Sequence, residues 1–503
     1  MTVSKQKRPY FGLTGKWLTY WITFACSVDM LLFGYDQASF SGVIVTDNFL
    51  ELHDLVGPEK TQMLSTVTAI YDIGCFVGAV VAFTIGERLG RTKSIIVGTM
   101  IMSVGAILMC SSFSLAQMFV GRIVLGIGNG INTSTAPIWQ TETAPAHWRG
   151  KLVMFEMMMN IAGFSLCNWI NYGLSFAGGA VAWRFPLAFQ FIFIIALFAT
   201  VPWLPESPRW LMSHEHEAKA TKVLACLEAK PEDDAFVVLQ RDEIRFSINY
   251  EREHQIRWRD LLRPQPEATK PLRRLILGAG TQFIQQFEVN SVTYLIFSCV
   301  SVTLVEKWGR RGLMLISTTG QGLAFLVITI LLRFGEAGGN RKAAEGSIVF
   351  FFLYYIAFGL GMLGILWLYP TEINSIAMRT KGAAVATATN WITNYVIVQI
   401  TPIGIQNLGW KFWIVFTVLN AAFLPIIYLF YPETADRTLE DLDEYYRNNP
   451  PLVVIGDKDA VASKRPQKYF DHEEAQMERF VHEDGVIDVA NKKASHSEAH
   501  HVE

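Results

Sequence analysis

Trp203-Leu204-Pro205-Glu206-Ser207-Pro208-Arg209-Trp210-Leu211 divides the 503-residue chain. From Trp17 up to this stretch the sequence is mostly apolar with short interruptions. From Met212 to Arg274 it is charged, and after Leu275 the apolar pattern returns. The stretch therefore reads as the exit from a first membrane half into a soluble central loop. Where the second half ends, Tyr431-Pro432-Glu433-Thr434 echoes it.

Two further echoes are stricter. Glu142 precedes Arg149 by the same interval that separates Glu372 from Arg379, each time just after an apolar span. Arg88-Leu89-Gly90-Arg91 returns as Lys307-Trp308-Gly309-Arg310-Arg311. Three ordered matches in two halves indicate a duplicated unit, which is the mark of membrane transporters built from repeats.

Composition agrees. The chain is 51% hydrophobic and 17% charged, with mean hydropathy +0.26, whereas an ordinary soluble chain is about a quarter charged. A net charge of −2 without a basic patch gives no reason to expect nucleic acid as a partner. Cys26, Cys75, Cys110, Cys167 and Cys299 lie in apolar stretches and Cys226 in the central loop, so no disulfide is expected. No nucleophile–base set appears, so no enzyme is expected, and neither a metal nor a cofactor. His214-Glu215-His216-Glu217 places its two histidines on different faces of a helix, which suits surface charge better than a metal. Gly126-Ile127-Gly128-Asn129-Gly130 has no strand before it and lies inside a span. Close helix crossing accounts for it better than a nucleotide does.

A bilayer core of roughly 30 Å takes about 20 apolar residues in a helix. Such runs fall near 17–40, 62–85, 94–113, 115–137, 152–173 and 185–204, then near 313–332, 347–369, 383–401 and 411–431. Lys5, Lys7, Arg8 and Lys16 precede the first run; Arg88, Arg91 and Lys93 follow the second; Arg149 and Lys151 follow the fourth. Basic loops face the cytoplasm, so both termini and the central loop are expected there. The domains read as an N-terminus (1–16), a first membrane half (17–204), a central loop with short helices (205–274), a second half (275–431) and a mostly disordered tail (432–503).

Ionisable residues inside the membrane are costly and hence suspect. Asp36 lies in the first run and Arg122 opens the fourth. A buried guanidinium needs an anionic partner, and Asp36 is best placed by depth to supply it. Asp29, on the same face, is the rival; Glu156 and Glu288 have no assigned partner. At the cytoplasmic edge, Arg91, Glu142, Arg149, Glu206, Arg209, Glu306, Arg310, Arg311, Glu372, Arg379 and Glu433 form a candidate gate. Ion pairs between the halves would hold that side shut.

Taken together, Gly34-Tyr35-Asp36-Gln37, Gly121-Arg122, Glu142 with Arg149-Gly150, Pro205-Glu206-Ser207-Pro208-Arg209, Gln285-Gln286, Gly309-Arg310-Arg311 and Pro432-Glu433-Thr434 resemble the fungal sugar porters of the major facilitator superfamily, over roughly 17–445. The resemblance implies an all-α membrane protein with two six-helix halves and a sugar site between them. It also implies a plasma-membrane location and, as partners, a small-molecule sugar, protons and the lipid bilayer. Proton-coupled members carry an aspartate at the position of Asp36 and an arginine at that of Arg122. By match, Gln285, Gln286, Asn290, Trp367, Asn390, Trp391 and Asn394 fall on sugar-binding positions. Amides suit hydroxyls, and an indole suits the C–H face of a sugar. Two departures stand out. Met157 occupies the place of a glutamine, and the tyrosines expected after Gln286 are missing. A sugar:proton symporter is the reading that follows, with a facilitative carrier or a non-transporting sugar sensor as alternatives.

The second half is also short. About 73 residues separate Trp17 from Gly90, but about 34 separate Leu275 from Gly309. Some 31 helical residues reach roughly 46 Å, and two crossings need about 60 Å. A segment is thus missing near Asn290, leaving the second half short by about one span; eleven full spans are expected, with one long or broken helix here, unless the two segments form a stunted hairpin. The chain as written is expected to transport poorly.

Overall fold

Each apolar run becomes a helix, and the breaks fall at glycine, proline or charge. The structure, a computed structural model, describes residues 10–145, 149–253, 270–285, 292–336, 338–374, 378–437 and 439–469. The first half holds α1 (Lys16–Val43), the short α2 (Asp47–Leu52), α3 (Thr61–Leu89), α4 (Arg91–Cys110), α5 (Leu115–Thr143), α6 (Arg149–Ser175), α7 (Val181–Phe189) and α8 (Phe191–Thr200). The central stretch folds into α9 (Pro208–Ser213), α10 (Glu217–Glu228) and α11 (Ala235–Glu253). The second half holds α12 (Pro271–Gln285), α13 (Val292–Glu336), α14 (Arg341–Ile373), α15 (Arg379–Leu408) and α16 (Phe412–Phe430), followed by α17 (Leu439–Arg447) and α18 (Lys458–Val461).

Among the described residues, eight helical segments are long and apolar enough to cross a membrane. α5 is not one of them, because Arg122, Asn129, Asn132 and Gln140 run a polar row through it. Its glycines explain how it still packs. A Cβ on Gly126 or Gly130 would meet α3 backbone, and one on Gly128 would meet the carbonyl of Gly98 on α4, in every case closer than 3.0 Å. The backbones touch because these positions have no side chain.

Around the missing segment the outcome is a stunted hairpin. α12 has 15 residues, and α13 reaches a kink at Gly309 after residues 292–308. At 1.5 Å per residue these arms span roughly 22 and 25 Å, short of the ~30 Å of a bilayer core. Both arms return to one face. Arg274 near the start of α12 donates to the Ile373 carbonyl, while Arg310 just after the kink donates to Glu372. The later helices therefore keep the orientation that two crossings give. Gln286, Glu288 and Asn290 lie outside the described residues.

The tail needs a correction. Residues 450–469, expected to be disordered, pack under the second half. Arg274 is fully buried and pairs with Asp443 at 2.5 Å. Arg465 makes two hydrogen bonds to the Asp441 carboxylate, at 2.7 and 2.9 Å. Val454, Ala460 and Tyr469 are buried. The polar composition that suggested disorder is spent on specific ion pairs, which composition alone does not reveal.

Candidate functional site

Two glycines with left-handed backbone begin the site on the basic face. Gly90 has φ +90° and Gly309 φ +73°, and a Cβ on either would lie closer than 3.0 Å to a carboxylate oxygen. That carboxylate caps the helix that follows. Glu206 accepts from the backbone N–H groups of Arg91 (2.8 Å) and Thr92 (3.2 Å); Glu433 accepts from those of Arg310 (2.8 Å) and Arg311 (3.1 Å). The free N–H groups of a helix start carry partial positive charge, so an anion is held there.

The arginine after each glycine forms a two-pronged pair. Arg91 donates from Nε and from a terminal nitrogen to Glu142, both at 3.0 Å. Arg310 does the same to Glu372, at 3.2 and 2.9 Å. Three residues before each glutamate an aromatic side chain ties in the motif carrying the capping carboxylate. Trp139 donates its indole N–H to the Pro205 carbonyl, and Tyr369 its hydroxyl to the Pro432 carbonyl, each at 3.1 Å. The echoes seen in the sequence are thus one network built twice.

The network corrects one expectation. Both arginine–glutamate pairs lie inside a half, and neither joins the two halves. Arg91 and Glu142 begin α4 and end α5, which pack side by side, so the near carboxylate is in the same half. Arg209 donates to Ser247 on α11 (3.3 Å), and the Arg311 guanidinium reaches the Tyr428 carbonyl (2.7 Å). Arg149, Arg379 and Glu306 sit in helical segments on this face, and their side chains lie outside the description.

Between the halves, the far side is shut. On α15, Asn394 donates to Asp72 (2.9 Å), Gln399 to Thr66 (3.1 Å) and Gln406 to the Pro58 carbonyl (3.2 Å), all on or just before α3. Trp391 is fully buried against Phe33 and Tyr71, and its indole N–H has no partner among the described residues. Toward the basic face the halves separate around a cavity of about 800 Å³, counted out to its mouth. Thr133, Ser134, Gln282, Trp367 and Thr387 line it, and Arg91 stands near its edge.

Trp367 faces this cavity. Asn390 does not project freely, since it donates to Gln282 (2.6 Å). Gln285 ends α12 with its side chain outside the description. Sequence reasoning missed Gln282 and Asp72. An acid in the middle of an apolar run marked Asp72, and an amide one helical turn before Gln285 marked Gln282.

Asp36 and Arg122 are both buried, at 0% and 3% exposure, yet they are not within ion-pair distance. Arg122 donates to the carbonyls of Val67 and Thr68 and lies over the rings of Phe40 (4.2 Å) and Tyr71 (4.8 Å). Carbonyls and ring faces stabilise a guanidinium without neutralising it. Neither carboxyl oxygen of Asp36 has a hydrogen-bond partner among the described residues. The expected contact is therefore replaced by proximity, with Arg122 in electrostatic reach of Asp36.

Comparison with known proteins agrees with this geometry. The family model for sugar (and other) transporters matches in two pieces, residues 21–295 and 288–446, which meet at the short hairpin. The MFS-type transporter oryC of Aspergillus oryzae is 64% identical, covering 95% of each chain. That alignment runs over 510 positions, more than this chain has residues, so the relative holds residues that are absent here. Sugar transporter STL1 of Saccharomyces cerevisiae is 34% identical over 86% of this chain and 82% of its own. Among solved structures, the proton:xylose symporter XylE bound to 6-bromo-6-deoxy-D-glucose superposes with a TM-score of 0.72 at 22% identity. It covers 85% of this chain and 99% of that one.

Proposed function

The chain belongs to the sugar transporter family of the major facilitator superfamily, and on that premise we propose that it carries a small polyhydroxylated molecule across the plasma membrane together with a proton, by alternating access. The observation that supports this most is the asymmetry between the halves. Side chains of α3 and α15 close one face, while the cavity lined by Gln282 and Trp367 opens to the other. With the basic face taken as cytoplasmic, this is the inward-facing state. Trp391, with its free indole N–H, sits at the inner end of the closed seam, where a cargo hydroxyl would find a donor.

Asp36 is the proton carrier in this reading. Burial opposes ionisation of a carboxyl, and a nearby guanidinium favours it. As the halves rock, the access of water to Asp36 changes while Arg122 stays beside it in the same half, and with that access the tendency of Asp36 to hold a proton. The test is uptake of labelled D-xylose and D-glucose by cells that lack their own hexose carriers, with and without an uncoupler. The expected result is accumulation above the external level that collapses with the uncoupler and is absent in Asp36→Asn. Accumulation that survives in Asp36→Asn would sink the assignment. Uptake by the short-hairpin chain is expected to be weak, so the comparison is run in parallel on a version with the hairpin restored.

A further inference from the structure

Below Asp36, three contacts climb the seam between α1 and the antiparallel α5. Gln140 donates to the Thr23 hydroxyl (3.0 Å), the Cys26 thiol approaches the Ala136 carbonyl (3.7 Å), and Asn132 donates to Asp29 Oδ1 (2.8 Å). On the other side of α1 runs α6, where Asn160 reaches the Met30 carbonyl (3.4 Å). One turn earlier on α6 is Glu156, which is 0% exposed.

This seam concentrates unsatisfied polar atoms. Both oxygens of Glu156, Oδ2 of Asp29, Oδ1 of Asn132, Oε1 of Gln140 and the Ser27 hydroxyl are buried without a hydrogen-bond partner among the described residues. Such atoms are costly one at a time, and a row of them on three touching helices points to water and protons as their occupants. Asp29 and Cys26 are in electrostatic reach of Glu156, and Asp29 in turn of Asp36. The other ionisable groups in electrostatic reach of Asp36 are Arg122 on α5, Tyr71 on α3, Tyr35 on α1, Cys167 on α6 and Cys110 on α4, while Asp72 on α3 faces Arg122. To Asn132, α4 presents the Thr99 hydroxyl and the Met102 sulfur. By position along α1 and α6, the carboxyls descend from Asp36 through Asp29 to Glu156, which lies two turns from Arg149 at the basic face.

We propose that Asp29 and Glu156 form a second protonatable station through which a proton held at Asp36 leaves toward the basic face. The proposal rests on the proton-coupled reading. Asp36 loses its O–H proton to a bridging water while that water passes one to the Asp29 carboxylate. A second hop restores Asp29 and protonates Glu156, which releases the proton to solvent at the cavity side. Charge is conserved at each hop, and no reactant besides water is needed.

The test uses the detergent-purified full chain and no cargo. Infrared difference spectra across a pH titration follow the C=O stretch of protonated carboxyls in wild type, Asp36→Asn, Asp29→Asn and Glu156→Gln. Thermal unfolding confirms that each variant is folded. The expected result is one band that Asp36→Asn removes and a separate one that Glu156→Gln removes. After an alkaline pH jump, loss of the Asp36 band is expected to slow several-fold in Glu156→Gln and to recover in Glu156→Asp. A Glu156→Gln spectrum and rate equal to wild type, beside a lost band in Asp36→Asn, overturns the station and leaves Asp36 standing. A Glu156 band with no Asp36 band overturns Asp36 as carrier and the relay with it. Loss of the Glu156 band on adding sodium at constant pH, with choline as control, identifies a metal-cation site and also overturns the proposal.

Discussion

The two halves share their basic-face networks and differ in their interiors. Gly90, Arg91, Glu142 and Glu206 reproduce Gly309, Arg310, Glu372 and Glu433 bond for bond. Inside, the first half holds Asp29, Asp36, Asp72, Arg122 and Glu156, all buried, whereas the second offers Gln282, Asn390, Asn394 and Trp391. In the function proposed above, the ionisable groups handle the proton, and the amides and the indole meet hydroxyls. Duplication supplied a frame that moves, and the copies then diverged where chemistry was needed. The halves also differ in completeness, because only the second has a shortened first hairpin.

The largest effect is expected from that last difference. Inserting, between Gln285 and Val292, the residues that the Aspergillus oryzae relative has and this chain lacks should extend both arms to full spans. Uptake of labelled sugar should rise from near background to a clear signal. Equal uptake by the unaltered chain would show that the short hairpin is no defect and that the comparison of halves has been drawn too sharply.

The second prediction concerns which residues pair. Arg91 and Glu142 are mostly buried, as are Arg310 and Glu372. Removing one member of such a pair costs about 3 kcal/mol or more, because the other is left buried and alone. Arg91→Ala and Arg310→Ala should each lower the unfolding temperature, followed by a thiol-reactive dye that reports exposure of Cys26, Cys75 and Cys167. The charge swap Arg91→Glu with Glu142→Arg should recover part of the loss. The cross-half swap Arg91→Glu with Glu372→Arg should recover none, and rescue by it would restore the inter-half clamp.

The duplicated network on the basic face was legible in the sequence because the same letters recur at the same intervals, and a repeat that survives divergence has to satisfy the same bonds. The choice of partner was not legible. Spacing places Glu142 and Arg149 on one membrane face, but contact between α4 and α5 is set by glycines and side chains far apart in the chain. The same limit hid Gln282, whose role follows from Asn390, more than a hundred residues away. It also concealed the order in residues 450–469, held by Arg465 on the Asp441 carboxylate and by Arg437 on the carbonyls of Asp459 and Ala462.

A smaller effect tests the backbone part of the comparison. Gly90→Ala and Gly309→Ala each force a Cβ into left-handed backbone against a carboxylate, at about 1–3 kcal/mol apiece. If the duplication is as close as the hydrogen bonds indicate, the two substitutions should shift the unfolding temperature by similar amounts. A large shift at one glycine and none at the other would break the equivalence.

The smallest effect belongs to a feature of the first half alone. The loop between α1 and α3 carries His53, which is 3% exposed, tilted against Phe49 (4.4 Å between ring centres) and edge-on to Trp183 (5.7 Å). Its Nδ1 meets the Phe49 carbonyl and its Nε2 the Ser112 hydroxyl, both at 3.0 Å, so the ring ties this loop to the turn before α5. The corresponding place in the second half is the short linker between α12 and α13. Burial holds the His53 pKa below the ordinary 6.5; its bond to the Phe49 carbonyl opposes the shift, and the Arg184 charge adds to it. The sign follows. Above pH 6.5 the ring is neutral in both folded and unfolded chains and costs nothing. As pH falls below 6.5 the unfolded chain takes up a proton that the folded one resists, and stability is lost down to the folded value. The unfolding temperature should therefore drop on acidification from pH 7 to 5, and His53→Gln should reduce that drop while weakening the fold slightly at pH 7. An unchanged acid sensitivity in His53→Gln would place the titrating group elsewhere and remove this loop from the list of differences between the halves.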